Sequence, residues 1–257
     1  MVRRVRAPRV AEVVASAIRD DILSGRLTEG DVLPTQEHLF TEFGVSPPAL
    51  REAIRILETE GLVSVRRGNV GGAVVHLPSA RRTAQMIAMV LQSRSATPAD
   101  VSEALLHLEP ICAGMCAARP DRMSEVVPYL QDEIDLQSTS FADTARFVSN
   151  ARRFHEMLVA RCGNEPMILL IGALELIWSA HEAGVWSDDS PGGGRPEAAT
   201  MRAALRDHRR ILDAVIDGDS ARAVRLAQKH LAAARRHTLA CGADTTIEAK
   251  LVSRPDH

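Results

Sequence analysis

Three histidines, His155, His208 and His230, are the side chains of this 257-residue chain whose placement suggests shared chemistry. Each falls on the apolar stripe of its own helical stretch. Phe147, Ala151, Phe154, His155 and Leu158 form one stripe, and Ala204, His208, Ile211, Leu212 and Val215 a second. Ala223, Ala227, His230, Leu231 and Ala234 form a third at the same helical spacing. A single imidazole so placed reads as a hydrogen-bonded core residue. Three on separate core-facing helices are costly to bury together unless they share a partner. A divalent cation is such a partner, and neutral imidazole suits Zn, Ni or Fe. On spacing alone, the metal site and the three packed histidines stand level. His181 shares a stripe with Leu174, Ile177 and Trp178 and reads as a pocket wall or a core residue.

The elements that must position these histidines are helices. Candidate helices cover 80–95, 98–119 (with Pro110 as a point of bending), 122–138, 141–162, 165–185, 196–217 and 220–240. Residues 188–196, DDSPGGGRP, form a loop by composition, and Asp217-Gly218-Asp219-Ser220 is a short turn with a capping residue. Short connections imply an antiparallel bundle of six to seven helices over 79–241, followed by a flexible tail, 242–257.

The chain before the bundle reads differently. Residues 10–23 form a helix whose face carries Val10, Val13, Val14, Ala17, Ile18 and Ile22. In Phe43-Gly44-Val45-Ser46 a glycine sits where a helix end needs positive φ, and a serine can cap the next helix. Pro47 and Pro48 then stand at first-turn positions, where a missing N–H is harmless. Leu50, Ala53, Ile54 and Leu57 make a buried face, leaving Arg51, Arg55 and Glu58 outward. Gly61 ends that helix. Residues 62–65 and 73–77 read as two strands joined by a glycine-rich tip. This is the layout of a winged helix-turn-helix, a module that lays one helix in the DNA major groove. The fold expected is therefore mostly α: a winged domain with a small β-hairpin over 8–78, then the helical bundle.

Composition sets bounds. The net charge of −2 does not announce a nucleic-acid binder, and residues 1–78 hold ten Arg against ten acids. DNA binding must come from placement: Arg3, Arg4, Arg6 and Arg9 at the N-terminus, and Arg66 and Arg67 at the wing. Cys112, Cys116, Cys162 and Cys241 lack metal-finger spacing and read as free thiols. With no signal peptide and no membrane-length apolar run, the expected compartment is the cytoplasm.

The winged stretch resembles the GntR family of bacterial transcription regulators. The resemblance rests on Leu33-Pro34-Thr35, Gly44-Val45-Ser46, Leu50-Arg51-Glu52-Ala53, Leu57, Glu60-Gly61-Leu62-Val63 and the tip residues Arg66-Arg67-Gly68 with Gly71-Gly72. The later region resembles the effector domain of the FadR subgroup through Leu108-Glu109-Pro110, Phe154-His155, Gly163-Asn164, Asp207-His208, residues 211–214, Gly218-Asp219, Ala223 and His230. The resemblance implies metal ligation by His155, His208 and His230, and effector binding around Glu109 and these three histidines; His181 joins the effector candidates through its stripe. Two positions depart from it. Ala151 stands where relatives carry an aspartate ligand, and Leu105 where many carry an arginine for the effector's carboxylate. The pocket is then less polar, which favours a larger or more apolar acid, lipid-like in the limit. Glu37 and Pro47 likewise replace arginines of many relatives, so the operator preference should differ.

Thr35, Gln36, Ser46, Pro47 and Arg51 are the candidate contacts around the recognition helix, with Arg66, Arg67, Asn69 and Gly71 at the wing. One recognition helix reads only a few base pairs, so a homodimer on a palindromic operator follows. The expected function is a transcription regulator, a repressor under effector control, and not an enzyme. Two alternatives remain open: a metal-dependent hydrolase built on the histidines, and a metal-free ligand-binding regulator. Against the hydrolase, no obvious carboxylate base shares the helical faces of the cluster.

Overall fold

The computed structural model describes residues 9–66, 72–185, 196–242 and 246–249. The chain divides into two compact units, Met1–Ser79 and Ala80–His257.

In the first unit, α1 (Val10–Leu23), α2 (Gln36–Phe43) and α3 (Pro47–Glu60) precede a hairpin of β1 (Val63–Val65) and β2 (Ala73–Val75). The strands are antiparallel, with Val63 opposite Val75 and Val65 opposite Ala73. The segment before α2 extends the hairpin: Leu33 donates its amide to the Ala73 carbonyl at 2.8 Å, and Val75 to that of Asp31 at 2.8 Å. Gly44, at φ 61°, ends α2 in the left-handed region that glycine adopts without penalty. Ile18, Ile22, Leu50, Ala53 and Leu57 fill the core between α1 and α3. The Arg19 guanidinium also ties the two helices, reaching both Glu60 oxygens at 2.8 and 2.6 Å.

The expected face of α1 needs correction. Val10 and Val13 are 56% and 54% exposed, and Ala11 and Ala15 are buried instead. At about 100° per residue, Val13 stands roughly 140° around the helix from Ile18, whereas Ala11 lies nearly in line with it. The β-branched residues there drew attention to the wrong stripe.

The second unit contains α4 (Ala80–Ser93), α5 (Pro98–Ala118), α6 (Arg122–Glu125), α7 (Val127–Ser138), α8 (Thr144–Ala160), α9 (Glu165–Val185), α10 (Ala198–Ile216) and α11 (Ser220–Gly242). Helix starts follow sequence signals. Thr97 and Asp100 form a reciprocal capping box on α5. Asp143 caps α8, Asn164 caps α9 and Asp219 caps α11 through their side-chain oxygens. α5 runs on through Pro110, while the stretch expected as one helix over 122–138 breaks at Val126. Pro128 fits the break: it has no amide to donate to the preceding turn, and it stands in the first turn of α7, where none is needed.

α5 packs along α11 at the centre of the bundle. Gly114 makes that approach possible, because a Cβ there would sit 2.6 Å from Val224 Cγ2. Of the tail expected to be mobile, Ile247 donates its amide to Ala96 O at 3.0 Å and is buried, as is Ala249. Residues 243–245 and 250–257 lie outside the described residues, as does most of the 188–196 loop. No helix among the described residues is long and apolar enough to cross a membrane.

Two outcomes test this packing. Gly114→Val should lower stability by about 1–3 kcal/mol through overpacking, with partial recovery in the Gly114→Val/Val224→Ala pair, as measured by urea unfolding. Cys112, Cys116 and Cys162 are buried, and burial pushes the Cys116 thiol up to about 12. None of the three should react with a maleimide in the folded protein at neutral pH; peptide mass mapping would reveal any that does.

Candidate functional site

Four helices of the second unit bring the three histidines together: α8 supplies His155, α10 His208 and α11 His230, and α5 supplies Glu109 behind them. The Nε2 atoms of His208 and His230 are 3.0 Å apart, and those of His230 and His155 are 3.2 Å apart. The potential ligand atoms of all three lie within 4.8 Å of one another.

The opposite ring nitrogens explain the geometry. His155 Nδ1 lies 2.6 Å from Glu109 Oε1, and His208 Nδ1 lies 3.0 Å from Gln137 Oε1. His230 Nδ1 faces Asp207 Oδ2 at 3.7 Å. An oxygen thus stands behind each Nδ1, and with Nδ1 donating to it a ring presents its Nε2 as an acceptor. The three Nε2 edges turn toward one another, an arrangement that a shared cation between the rings would satisfy, and oxygen partners behind the imidazoles are the usual supports of metal-bound histidine. The donor set therefore fits a divalent ion.

Burial keeps the rings neutral. It holds His155 and His230 below the usual histidine range and His208 well below it, with Asp207 opposing the shift at His230. Phe154 fixes the His208 ring by stacking on it, with centroids 4.1 Å apart and planes 12° from parallel.

The absence of a nearby carboxylate, expected from the faces of the three helices, is corrected here: the carboxylates approach from neighbouring positions and other helices. Glu109 and Asp207 stand behind two of the rings, and Glu175 from α9 is buried beside Glu109. Burial pushes Glu109 up to about 7 and Glu175 well above the usual carboxylate range, the latter also raised by Glu109. Glu109 Oε2 and Glu175 Oε1 are buried with no hydrogen-bond partner. Gln137 and Glu175 were missed in the sequence. The one signal was Glu175 itself, a lone acid in the apolar run of α9.

A cavity of about 210 Å³ opens against the histidines. Leu105, Phe147, Val148, Ala151, Trp178 and Met201 supply its apolar walls, and Glu109, Glu175 and the three histidines its polar end. Arg152 also lines it, but its Nε is held by Glu182 at 2.9 Å. His181 is not among the lining residues; its ring packs beside Trp178 with centroids 5.7 Å apart. Asn150 is turned away and donates to Ser140 Oγ at 2.9 Å.

In the first unit, α2 and α3 display the other candidate residues. Thr35 caps α2, accepting the His38 amide at 3.4 Å, and Gln36 follows it, exposed. Ser46 holds the cap position of α3, yet its hydroxyl accepts no cap hydrogen bond. Pro48 removes one of the two amides that a capping serine can take, and the hydroxyl does not take the other, that of Ala49. Pro47 and Arg51 are exposed beside it. The acids that could have neutralised Arg51 are engaged elsewhere: Glu52 pairs with Arg55 at 3.4 Å, and Glu58 Oε1 accepts the Val65 amide at 3.1 Å. Arg51 makes no ion pair among the described residues. Arg66 is exposed at the end of β1, while Arg67, Asn69 and Gly71, like Arg3, Arg4 and Arg6, lie outside the described residues.

A helix-turn-helix with a hairpin wing, followed by a helical bundle that encloses a ligand-sized cavity, defines a DNA-binding regulator with an effector domain. Residues 10–74 match the family of bacterial regulatory proteins named gntR, and residues 100–233 match the FCD domain. The chain belongs to the GntR family of transcription regulators, with an FCD (FadR-type C-terminal) domain. It is similar to the transcriptional regulator Mce2R of Mycobacterium tuberculosis, 27% identical over 237 residues that cover 90% of this chain and 92% of that protein. It is also similar to the transcriptional repressor NanR of Klebsiella aerogenes, 24% identical over 87% of this chain and 83% of that one. The solved structure of a Streptococcus agalactiae GntR protein shares the fold, with a TM-score of 0.69 and 21% identity over 88% of this chain and 99% of that chain. Family and relatives are transcription regulators, so the chain is a regulator and not an enzyme, and the hydrolase alternative falls away.

Arg51→Ala should abolish retardation of operator DNA in a gel-shift assay while leaving the unfolding curve unchanged. Undiminished binding by the variant would show that α3 docks differently.

Proposed function

We propose that this regulator represses transcription by binding a palindromic operator as a homodimer. An acid received in the bundle cavity controls that binding, and a divalent ion of the Zn, Ni or Fe class is held by His155, His208 and His230. The observation that carries the reading is the set of three histidine Nε2 atoms facing one another at the end of a cavity. Bound there, the ion would supply a Lewis-acidic position for an oxygen of the effector. Glu109 and the three histidines form the polar end that meets the effector's head, and Leu105, Phe147 and Trp178 meet its apolar body. His181 drops out of the set because it does not line the cavity. The ligand is a small organic acid with an apolar body, and the lipid-like extreme is the less favoured form because the cavity is compact.

The DNA contacts are Thr35, Gln36, Ser46, Pro47, Arg51 and Arg66, joined by Arg67, Asn69 and Gly71 of the wing tip. The naming of NanR as a repressor supports the sign of regulation. Exposed Met86, Met89 and Val90 on α4, with Leu169 and Leu170 on the neighbouring α9, support self-association of the bundle. Action on chromosomal DNA supports a cytoplasmic location. Effector binding shifts the balance between operator-competent and incompetent states by about 1–3 kcal/mol of coupling.

Metal analysis of protein purified without chelator tests the central part. It should give roughly one equivalent per chain in the wild type and less than about a tenth in His208→Ala, with the variant still folded by circular dichroism. Less than about a tenth of an equivalent in the wild type would favour the metal-free regulator.

A further inference from the structure

The bundle cavity has two polar ends, and the histidines occupy only one. Helix directions place the other. Glu109 of α5 meets His155 of α8; farther along, Cys116 meets the Leu158 carbonyl at 3.1 Å and Arg119 that of Arg161 at 3.0 Å. α5 and α8 therefore run parallel. α11 runs against them: Ser220 donates to the Gly114 carbonyl at 2.8 Å, and Arg235 to Ser102 Oγ at 3.0 Å. α9 also runs against α8, because Arg152, one turn before His155, reaches Glu182, two turns beyond Glu175. Ser102 likewise lies two turns before Glu109 on α5. At 1.5 Å per residue each offset is about 10 Å, and both point the same way. Arg152, held by Glu182, and Arg235, held by Ser102, thus stand at the end of the cavity away from Glu109 and Glu175, and both line it.

Neither guanidinium is fully engaged. Arg152 gives its Nε to Glu182 at 2.9 Å, and its two terminal nitrogens make no hydrogen bond among the described residues. Arg235 gives its Nε to Ser102 and one terminal nitrogen to Glu103 at 2.6 Å, which leaves the other without a partner among the described residues. The two side chains are 21% and 29% exposed, so each is largely shielded from water. A carboxylate on one edge of a guanidinium fixes its plane and leaves the remaining donors to a guest. Leu105, Ala151, Trp178 and Met201 supply apolar wall to the same cavity. On α9 the indole of Trp178 falls between the levels of Glu175 and Glu182.

We infer that Arg152 and Arg235 form a second anion subsite, so that the effector is a two-headed acid with its second carboxylate about two helical turns along the cavity from the histidine end. This inference rests on the reading of the cavity as the effector site and adds the class of acid that it selects. A second carboxylate pairs the remaining guanidinium donors in charge-assisted hydrogen bonds. An acid with a plain apolar tail would cover those donors without pairing them, which costs affinity and gives the site its selectivity.

Calorimetric titration of the full-length protein with adipate and with hexanoate compares two heads with one at the same carbon count. Suberate and octanoate repeat the comparison for a longer span. In at least one pair the wild type should bind the diacid about tenfold or more tighter than its one-headed counterpart. Arg152→Gln and Arg235→Gln should each cut that preference about threefold or more, and the double variant should lose it. The wild-type comparison stands whether or not a variant folds. Equal wild-type affinity for diacid and monoacid in both pairs would overturn the second subsite and leave the cavity standing as an acid site. A preference that survives in the folded double variant would overturn its assignment to these arginines. Binding of none of the four acids would overturn the reading of the cavity as the site of an acid with an apolar body, and the second subsite with it.

Discussion

The bundle depends on a single constraint: three imidazoles meet edge to edge, their Nε2 atoms 3.0 and 3.2 Å apart in successive pairs. Each ring is oriented from behind, by Glu109, Gln137 and Asp207, and each of these comes from a position set by its own helix. Stacking of Phe154 on His208 fixes a further degree of freedom. The close passage of α5 along α11, opened by Gly114, brings Glu109 and His230 to the same level of the bundle. The cavity follows from the same arrangement: the helices that carry the histidines leave a space where Ala151 and Leu105 are too small or too apolar to fill or charge it.

The winged unit obeys a different logic, in which side chains are left without internal partners. The Ser46 hydroxyl makes no cap hydrogen bond to α3, and the neighbouring acids are drawn to Arg55 and to the β1 amide. The result is a helix start with an outward hydroxyl and an uncompensated Arg51, suited to phosphate and base edges. The same unit carries Glu37 in the first turn of α2, so the reading face combines a free cation with an exposed acid.

Local signals carried most of the architecture. Gly44, Gly61 and the capping turn at Asp219 mark helix ends in the sequence, and the structure uses them as such; the caps at Thr97, Asp143 and Asn164 emerge only in the structure. The histidines were legible because each sits on an apolar stripe, a pattern that depends only on helical period. What was not legible involves angle or distance. Val10 and Val13 fell within the apparent stripe of α1, yet the helix rotates them to solvent. Pro128 divides a helix that periodicity joined. Gln137 and Glu175 meet the cluster from helices remote in sequence, and no spacing rule announces such a meeting.

The central claim is that all three imidazoles carry their proton on Nδ1 and present bare Nε2 atoms to a common point. Nitrogen-15 NMR of histidine-labelled protein, purified without chelator, reads each ring's tautomer directly. The account predicts Nδ1-protonated, neutral rings for His155, His208 and His230. A proton on Nε2 of any one of them, bridging to a neighbour as an ordinary hydrogen bond, would contradict it.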